Sequence, residues 1–226
     1  MNFFSFRCFL CNKPLHIISH GICSYCNKSI CRFCYCGHCG SALPYSANFC
    51  GKCAELNPSW DQIIFVGEYS YPLSNLIHRF KYQNHFHLDK TLARLLYMAI
   101  REVKRTHQFI LPDVIIPVPL HHKRQHSRGY NQSTLLAKYL SYWLKIPYDD
   151  KLIIRTRITA TQRGLTATLR KKNLKNAFKC TNKNCRYYSI AILDDVITTG
   201  ATMKAIIESL RGTRIQHIQV WGIAKA

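Results

Sequence analysis

The stretch Ser189 to Thr202, SIAILDDVITTGAT, does more than any other to limit what this chain can fold into. Ser189 to Leu193 supply a mostly apolar run of the length that a buried parallel strand needs. Two acids, Asp194 and Asp195, follow where the strand is expected to leave the sheet. Thr198, Thr199, Gly200, Ala201 and Thr202 then make a small-residue turn into a helix predicted over Met203 to Leu210. In open α/β sheets ligands gather at the carboxyl ends of strands, and a helix N-terminus offers N–H groups and a positive dipole end to an anion. Gly200 lets backbone approach a ligand closely, and the threonine hydroxyls add donors. Carboxylates beside a phosphate cradle repel the phosphate unless something lies between them. A ribose suits that place, its hydroxyls donating to Asp194 and Asp195 while its 5-phosphate sits in the threonine turn. A buried strand with acidic caps would account for the apolar run, but not for two adjacent acids before a threonine-rich loop.

The same stretch resembles the phosphoribosyl pyrophosphate (PRPP) motif of type I phosphoribosyltransferases. A partner for it stands upstream. Val114 to Val118 is a second buried-strand signal, and Pro119 and Leu120 lead into the basic run His121, His122, Lys123, Arg124. A pyrophosphate leaving group needs positive charge and backbone donors, which the end of a neighbouring parallel strand can place opposite the Asp194 loop. Lys123 and Arg124 are therefore candidate pyrophosphate ligands. Arg128, Gly129, Tyr130, Asn131 and Gln132 follow, offering a guanidinium and two amides before a helix with Leu135, Leu136, Tyr139, Leu140 and Trp143 on one face. Asn131 or Ser133 could instead simply be the N-cap of that helix.

Ten of the twelve cysteines lie before residue 54, in five C-x2-C pairs. No stretch approaches about 18 consecutive apolar residues, and the opening MNFFSFRCFL has too short an apolar run for a signal peptide, so a cytoplasmic protein is expected. Disulfides are disfavoured there, and paired C-x2-C motifs read as zinc sites. Cys8, Cys11, Cys23 and Cys26 have an eleven-residue spacer, and Cys36, Cys39, Cys50 and Cys53 a ten-residue one, so the two sets mirror each other as structural four-cysteine zinc sites. Four thiolates leave no open position for water. Cys31 and Cys34 are left over: they could substitute in the first site, interleave with the second, or be free thiols. Two domains follow, a double zinc-finger region over 1–56 and an α/β domain over 61–226, with Asn57 to Asp61 as linker.

Charge adds a second theme. The formal net charge is +21, and two zinc ions on eight thiolates bring it to roughly +17. Residues 121–179 carry fourteen Lys/Arg against Asp149 and Asp150. Such a segment is the footprint of a polyanionic partner, nucleic acid above all, or else a solvated basic surface. Arg155, Arg157, Arg163, Arg170, Lys171, Lys172 and Lys175 are the candidate contacts. The stretch from Arg155 to Phe178 has no long apolar periodicity and reads as a lid or a nucleic-acid groove, or as a solvated loop. Elsewhere, strands are predicted over Gln62 to Tyr71, Leu152 to Ile154 and Ile215 to Ile223, and helices from Pro72 and over Leu88 to Arg105. Arg79 and Lys81 could be solvated or reach the anion pocket, and Cys180 and Cys185 read as free thiols rather than a third metal site.

Paired C-x2-C motifs, VPVPL-like Pro117 to Leu120, RGYNQ, TQRGL at Thr161 to Leu165, NLKNAF at Asn173 to Phe178 and ILDDVITTGAT occur in an order that resembles the ComF/GntX family over essentially the whole chain. The resemblance implies a zinc-bearing N-terminal region fused to a type I phosphoribosyltransferase fold, a central mainly parallel sheet flanked by helices. It further implies a role in handling incoming single-stranded DNA during natural transformation, with a ComFA-type helicase as partner where one exists. Three readings follow: a DNA-handling factor whose ribose-phosphate pocket binds PRPP with Mg, an active phosphoribosyltransferase acting on a base or amine acceptor, or an interaction scaffold. In the enzyme reading Asp194 and Asp195 are catalytic, stabilising charge on the ribose. The intact acid pair and threonine loop argue against the scaffold.

Overall fold

Apolar runs without polar alternation decide the architecture. The structure, a computed structural model, describes residues 6–82, 88–106, 109–120, 129–157, 174 and 176–226. Its strands are β1 (Gln62–Glu68), β2 (Val114–Pro117), β3 (Ile153–Arg155), β4 (Phe178–Cys180), β5 (Ser189–Ile197) and β6 (His217–Lys225). Four of them form one parallel sheet in the spatial order β1, β6, β5, β2, and β3 and β4 form a separate antiparallel pair. Helices α1 (Ser24–Lys28) and α2 (Lys52–Leu56) belong to the cysteine-rich region, and α3 (Leu73–Tyr82), α4 (Leu88–Thr106), α5 (Gln132–Leu144) and α6 (Ala201–Ser209) to the rest.

Successive side chains in a strand point to opposite faces, and both faces here are apolar. Ile64, Val66, Ile115, Leu193, Trp221 and Ile223 share one core with α3, α4 and α5. Ile63, Phe65, Ile116, Ile192 and Val220 share the other with α6 and the β3–β4 pair. In α4 the buried Leu88, Leu92, Leu95, Leu96 and Ile100 recur at three- and four-residue steps. Each such side chain contributes about 1.5–3 kcal/mol when fully buried, so the helix is held by its face. Trp221 is wholly buried, and its Nε1–H donates to Gln219 Oε1 at 3.0 Å, so the indole leaves no donor unsatisfied.

The cysteine-rich region packs into both cores. Cys8, Ile22, Cys26 and Ile30 join the first, while Phe33 and Tyr35 pack against the second, with Tyr35 stacked on Phe65 at 4.1 Å between ring centroids. It also covers the edge of β1, whose Ile63 and Glu68 N–H groups donate to Gly37 O and Cys31 O at 2.7 and 2.9 Å. An edge strand with unpaired groups is a template for aggregation, and this cover removes it. Gly67 permits the approach, since a Cβ there would lie 2.4 Å from Cys31 O.

Several expected boundaries move. β5 does not end at Leu193 but runs through both acids to Ile197, because β6 continues beside it, pairing Asp194 with Gly222, Val196 with Ala224 and Ile197 with Lys225. α6 opens at Ala201, two residues early, capped by Gly200 in the left-handed region at φ 74°. β4 was not expected; three residues beside a basic stretch acquire strand geometry only by pairing with β3. Asn57 to Asp61, expected as a linker, is held: Trp60 is buried, and Asp61 Oδ2 accepts from Ile218 N at 2.7 Å.

Candidate functional site

The sheet is ragged at its carboxyl end, and that makes the site. β2 pairs with β5 only as far as Pro117 and Leu193, with one further bond from Val118 N to Leu193 O, whereas β5 goes on. Asp194 and Asp195 therefore stand where β5 continues without β2 beside it, the crevice in which open α/β sheets bind ligands. They lead through Thr198 and Thr199 into the N-terminus of α6.

Asp194 Oδ1 accepts from the Asp195 N–H at 2.9 Å and from Ser133 Oγ at 3.4 Å. Ser133 lies in the first turn of α5, whose N-cap is Asn131: the Asn131 side chain accepts from Ser133 N at 3.1 Å, and its Nδ2 donates to Val118 O at 3.0 Å. RGYNQ thus uses Asn131 as a cap and brings Ser133 to the acid pair. Asp195 is buried and meets Lys81 Nζ at 2.8 Å. Of the two possibilities for Lys81, then, the pocket is the one realised. Arg79, two positions earlier, instead donates to Phe9 O in the cysteine-rich region.

The electrostatics are those of a site. Burial pushes the Asp194 carboxyl up from 3.8 to about 7, and the charge of Asp195 adds to this against the opposing pull of Lys81. Burial works against the charge of Lys81, but Asp195 and then Asp194 hold its ammonium above the usual lysine value. One acid is poised to lose its proton near neutrality, and the other is already paired. Ser133 is a site residue that sequence reasoning read only as a possible helix cap, and Lys81 one that it left between solvent and the pocket. No local signal separates this lysine from a solvated one at a helix end.

In the turn itself Thr199 Oγ1 accepts from Ala201 N at 3.4 Å, and Thr198 O accepts from Lys225 Nζ at 3.0 Å. Thr199 is exposed, and Thr198, Ala201 and Thr202 are half-buried beside the acids' strand. Lys123, Arg124 and Arg128 lie outside the described residues, as do Arg163, Arg170, Lys171, Lys172 and Lys175. Of the two described nucleic-acid candidates, Arg157 is exposed, while Arg155 is buried with its guanidinium 5.4 Å from the Phe178 ring centroid.

Both cysteine sets come together. Cys8, Cys11, Cys23 and Cys26 place their sulfurs within 4.8 Å of one another, and so do Cys36, Cys39, Cys50 and Cys53. A tetrahedral zinc with bonds of about 2.3 Å requires sulfurs about 3.8 Å apart. The observed separations are 3.7 Å for Cys11 and Cys23, 3.5 Å for Cys36 and Cys53, 3.5 Å for Cys39 and Cys50, and 3.9 Å for Cys50 and Cys53. The donor sets fit a closed zinc shell. In the first set burial raises the Cys8 thiol but N–H groups of Cys11, Cys23 and Leu10 outweigh it, bringing it down to about 6, while burial and the neighbouring thiols push Cys26 up. Cys31 and Cys34 are exposed and belong to neither set. Cys180 and Cys185 are buried in the second core without a third ligand among the described residues.

No protein-family model matches the chain. It is similar to competence protein F of Haemophilus influenzae, with 54% identity over the full length of both. The DNA utilization protein YhgH of Escherichia coli K12 is 39% identical, with 96% of each chain covered. Among solved structures, glutamine phosphoribosylpyrophosphate amidotransferase of B. subtilis superposes at a TM-score of 0.40 and 16% identity, over 63% of this chain and 29% of that one, which is a partial likeness only. No helix among the described residues is long and apolar enough to cross a membrane. The identity of more than half its residues, end to end, with competence protein F places this chain in the ComF family.

Proposed function

We propose that the chain is a competence factor that handles incoming single-stranded DNA in natural transformation and binds PRPP at the carboxyl end of β5. The observation that carries the PRPP reading is the juxtaposition of Asp194 and Asp195, with Lys81 on Asp195 at 2.8 Å, and a threonine turn capping α6. Ribose hydroxyls donate to the two carboxylates, and the 5-phosphate takes the N–H groups and hydroxyls of Thr198 to Thr202. Lys123, Arg124 and Arg128 serve the pyrophosphate. Two carboxylates suit a hard cation that is shared with substrate phosphates. Magnesium bound with PRPP would neutralise charge between phosphate oxygens. Zinc fills the two four-cysteine sets, and a ComFA-type helicase is the expected protein partner in the cytoplasm. The competence role draws on the names of the similar proteins, and the DNA reading on the excess of Lys/Arg in residues 121–179.

The test is a titration of zinc-loaded protein with magnesium and PRPP, with and without single-stranded DNA, following pyrophosphate release. Binding without release, altered by DNA, supports a DNA-handling factor that uses PRPP as a ligand. Steady, acceptor-dependent release makes the chain an active phosphoribosyltransferase, and no binding removes the PRPP site. Asp195→Asn is expected to weaken PRPP binding about tenfold or more with zinc content unchanged, since a charge-assisted acceptor is lost.

Affinity should also depend on pH. Ionised Asp194 is the stronger, charge-assisted acceptor for ribose hydroxyls, so PRPP binding should strengthen as pH rises through about 7, and Asp194→Asn should flatten that part of the profile. The sign for stability is opposite. An acid whose folded value is raised disfavours folding once ionised, so the free protein should lose stability as pH climbs from 3.8 to about 7, and Asp194→Asn should be more stable than wild type at pH 8. Thermal melts at both ends of that window read this directly.

For DNA, Arg163→Glu with Lys171→Glu should weaken single-strand binding and reduce the slope of log affinity against log salt by roughly 1.4, about 0.7 for each phosphate that is no longer neutralised. An unchanged slope would move the path elsewhere.

A further inference from the structure

The second four-cysteine set lies against the threonine turn, with Trp60 between them. The Trp60 ring is buried, and its Nε1–H donates to His38 O at 2.8 Å, inside the Cys36 to Cys39 knuckle. On its other side the ring lies against Gly200: a Cβ built there would come within 2.5 Å of Trp60 Cη2 and 3.2 Å of Cζ3. Gly200 is the cap of α6 and holds φ 74°, so no other residue type could keep both the turn and the tryptophan. One lysine crosses the joint and a second holds the turn. Lys204 of α6 donates to Leu56 O at 3.4 Å, at the end of the cysteine-bearing α2, and Lys225 donates to Thr198 O at 3.0 Å. Cys39, Ser41, Trp60, Thr199, Lys204 and Lys225 line one cleft.

We propose that Trp60 is a positioning residue through which the cluster Cys36, Cys39, Cys50 and Cys53 sets the geometry of the threonine turn, so that metal occupancy there governs the order of the anion cradle. The knuckle backbone is fixed when four thiolates close on one ion, because the positions of Cys36 and Cys39 then fix the His38 carbonyl between them. That carbonyl orients the indole, and the indole bears on Gly200. Among the described residues the first set is joined to the acid pair only through α3, whose Arg79 donates to Phe9 O and whose Lys81 meets Asp195, and not to the threonine turn: Cys8 and Cys26 pack on the opposite core with α3 and α4. The two metal sites thus differ in role, the first holding the helical face and the second holding the ligand loop. The consequence for anion affinity rests on the ribose-phosphate reading given above, whereas the mechanical coupling does not.

Amide hydrogen exchange on the zinc-loaded full chain separates the two. Trp60→Phe removes the indole N–H bond and shortens the ring away from Gly200, and it should speed exchange in 198–204 by up to about tenfold while zinc content stays at wild-type level. Replacing Cys50 and Cys53 together by serine should do the same. Replacing Cys11 and Cys23 should leave 198–204 unchanged relative to 114–117. Unchanged exchange in 198–204 for Trp60→Phe overturns the assignment, even if the double cysteine variant does not fold. In parallel, ribose 5-phosphate is titrated into wild type and Trp60→Phe: weaker binding by the variant supports the coupling, and equal binding overturns its functional consequence. Absence of binding to wild type overturns the ribose-phosphate reading, and exchange still decides the coupling.

Discussion

Lys81→Met is expected to destabilise the protein by about 2–4 kcal/mol, less than the roughly 3–5 kcal/mol for breaking a fully buried ion pair because both partners keep some solvent exposure. Removing the ammonium leaves Asp195 buried beside Asp194 without the cation that pairs with it. At a size of 226 residues this corresponds to a fall in Tm of several degrees. Lys81→Met with Asp195→Asn should be closer to wild type than Lys81→Met alone, because the lone buried charge is gone. Urea melts of the two single variants and the double variant close the cycle. A coupling near zero would mean that the 2.8 Å contact is only a surface pair, worth under about 1 kcal/mol, and would remove Lys81 from the site.

Removal of zinc carries the other large effect. Metal analysis should return two zinc ions per chain, and one or three would overturn the pairing of cysteines into two sets. Structural zinc sites carry apparent binding energies of about 10–16 kcal/mol, and the two cysteine sets sit at surfaces that the core depends on. Cys8 and Cys26 are buried among residues of α3 and α4, and the second set holds Trp60 and the cover on β1. Chelation is therefore expected to lower stability by about 5 kcal/mol or more, and to expose the edge of β1 to self-association. Differential scanning calorimetry with light scattering would show both. A chelated protein that melts at the wild-type temperature without aggregating would mean that the cysteine region is an appendage.

The net positive charge connects these points to function. A chain at +21 avoids self-association but attracts any polyanion, so specificity has to come from shape rather than charge. The crevice at Asp194 and Asp195 is partly buried, and its acids repel an unmatched phosphate. In the proposed function a long anion on the basic segment and a short one in the crevice are different kinds of ligand, and the titration with both present tests whether one alters the other.

What the sequence determined by itself is whatever repeats at short range. The unbroken apolar runs of β1, β2, β5 and β6, the three- and four-residue steps of α4, the spacing of the two cysteine sets and the order of acid pair, threonine turn and helix all show in fewer than about twenty residues, because a strand buried on both faces, helix pitch and a metal tetrahedron each leave a local pattern. Tertiary structure decided the rest. Lys81 and Ser133 reach the acids from positions more than fifty residues away. β5 continues past Leu193 because β6 accompanies it, and β4 exists because β3 pairs with it. Trp60 gained its place from a carbonyl in one region and a glycine in the other. A lysine at the end of a helix has the same local sequence whether it is solvated or paired with a buried acid. Only the burial of its partner, which depends on the whole fold, tells them apart.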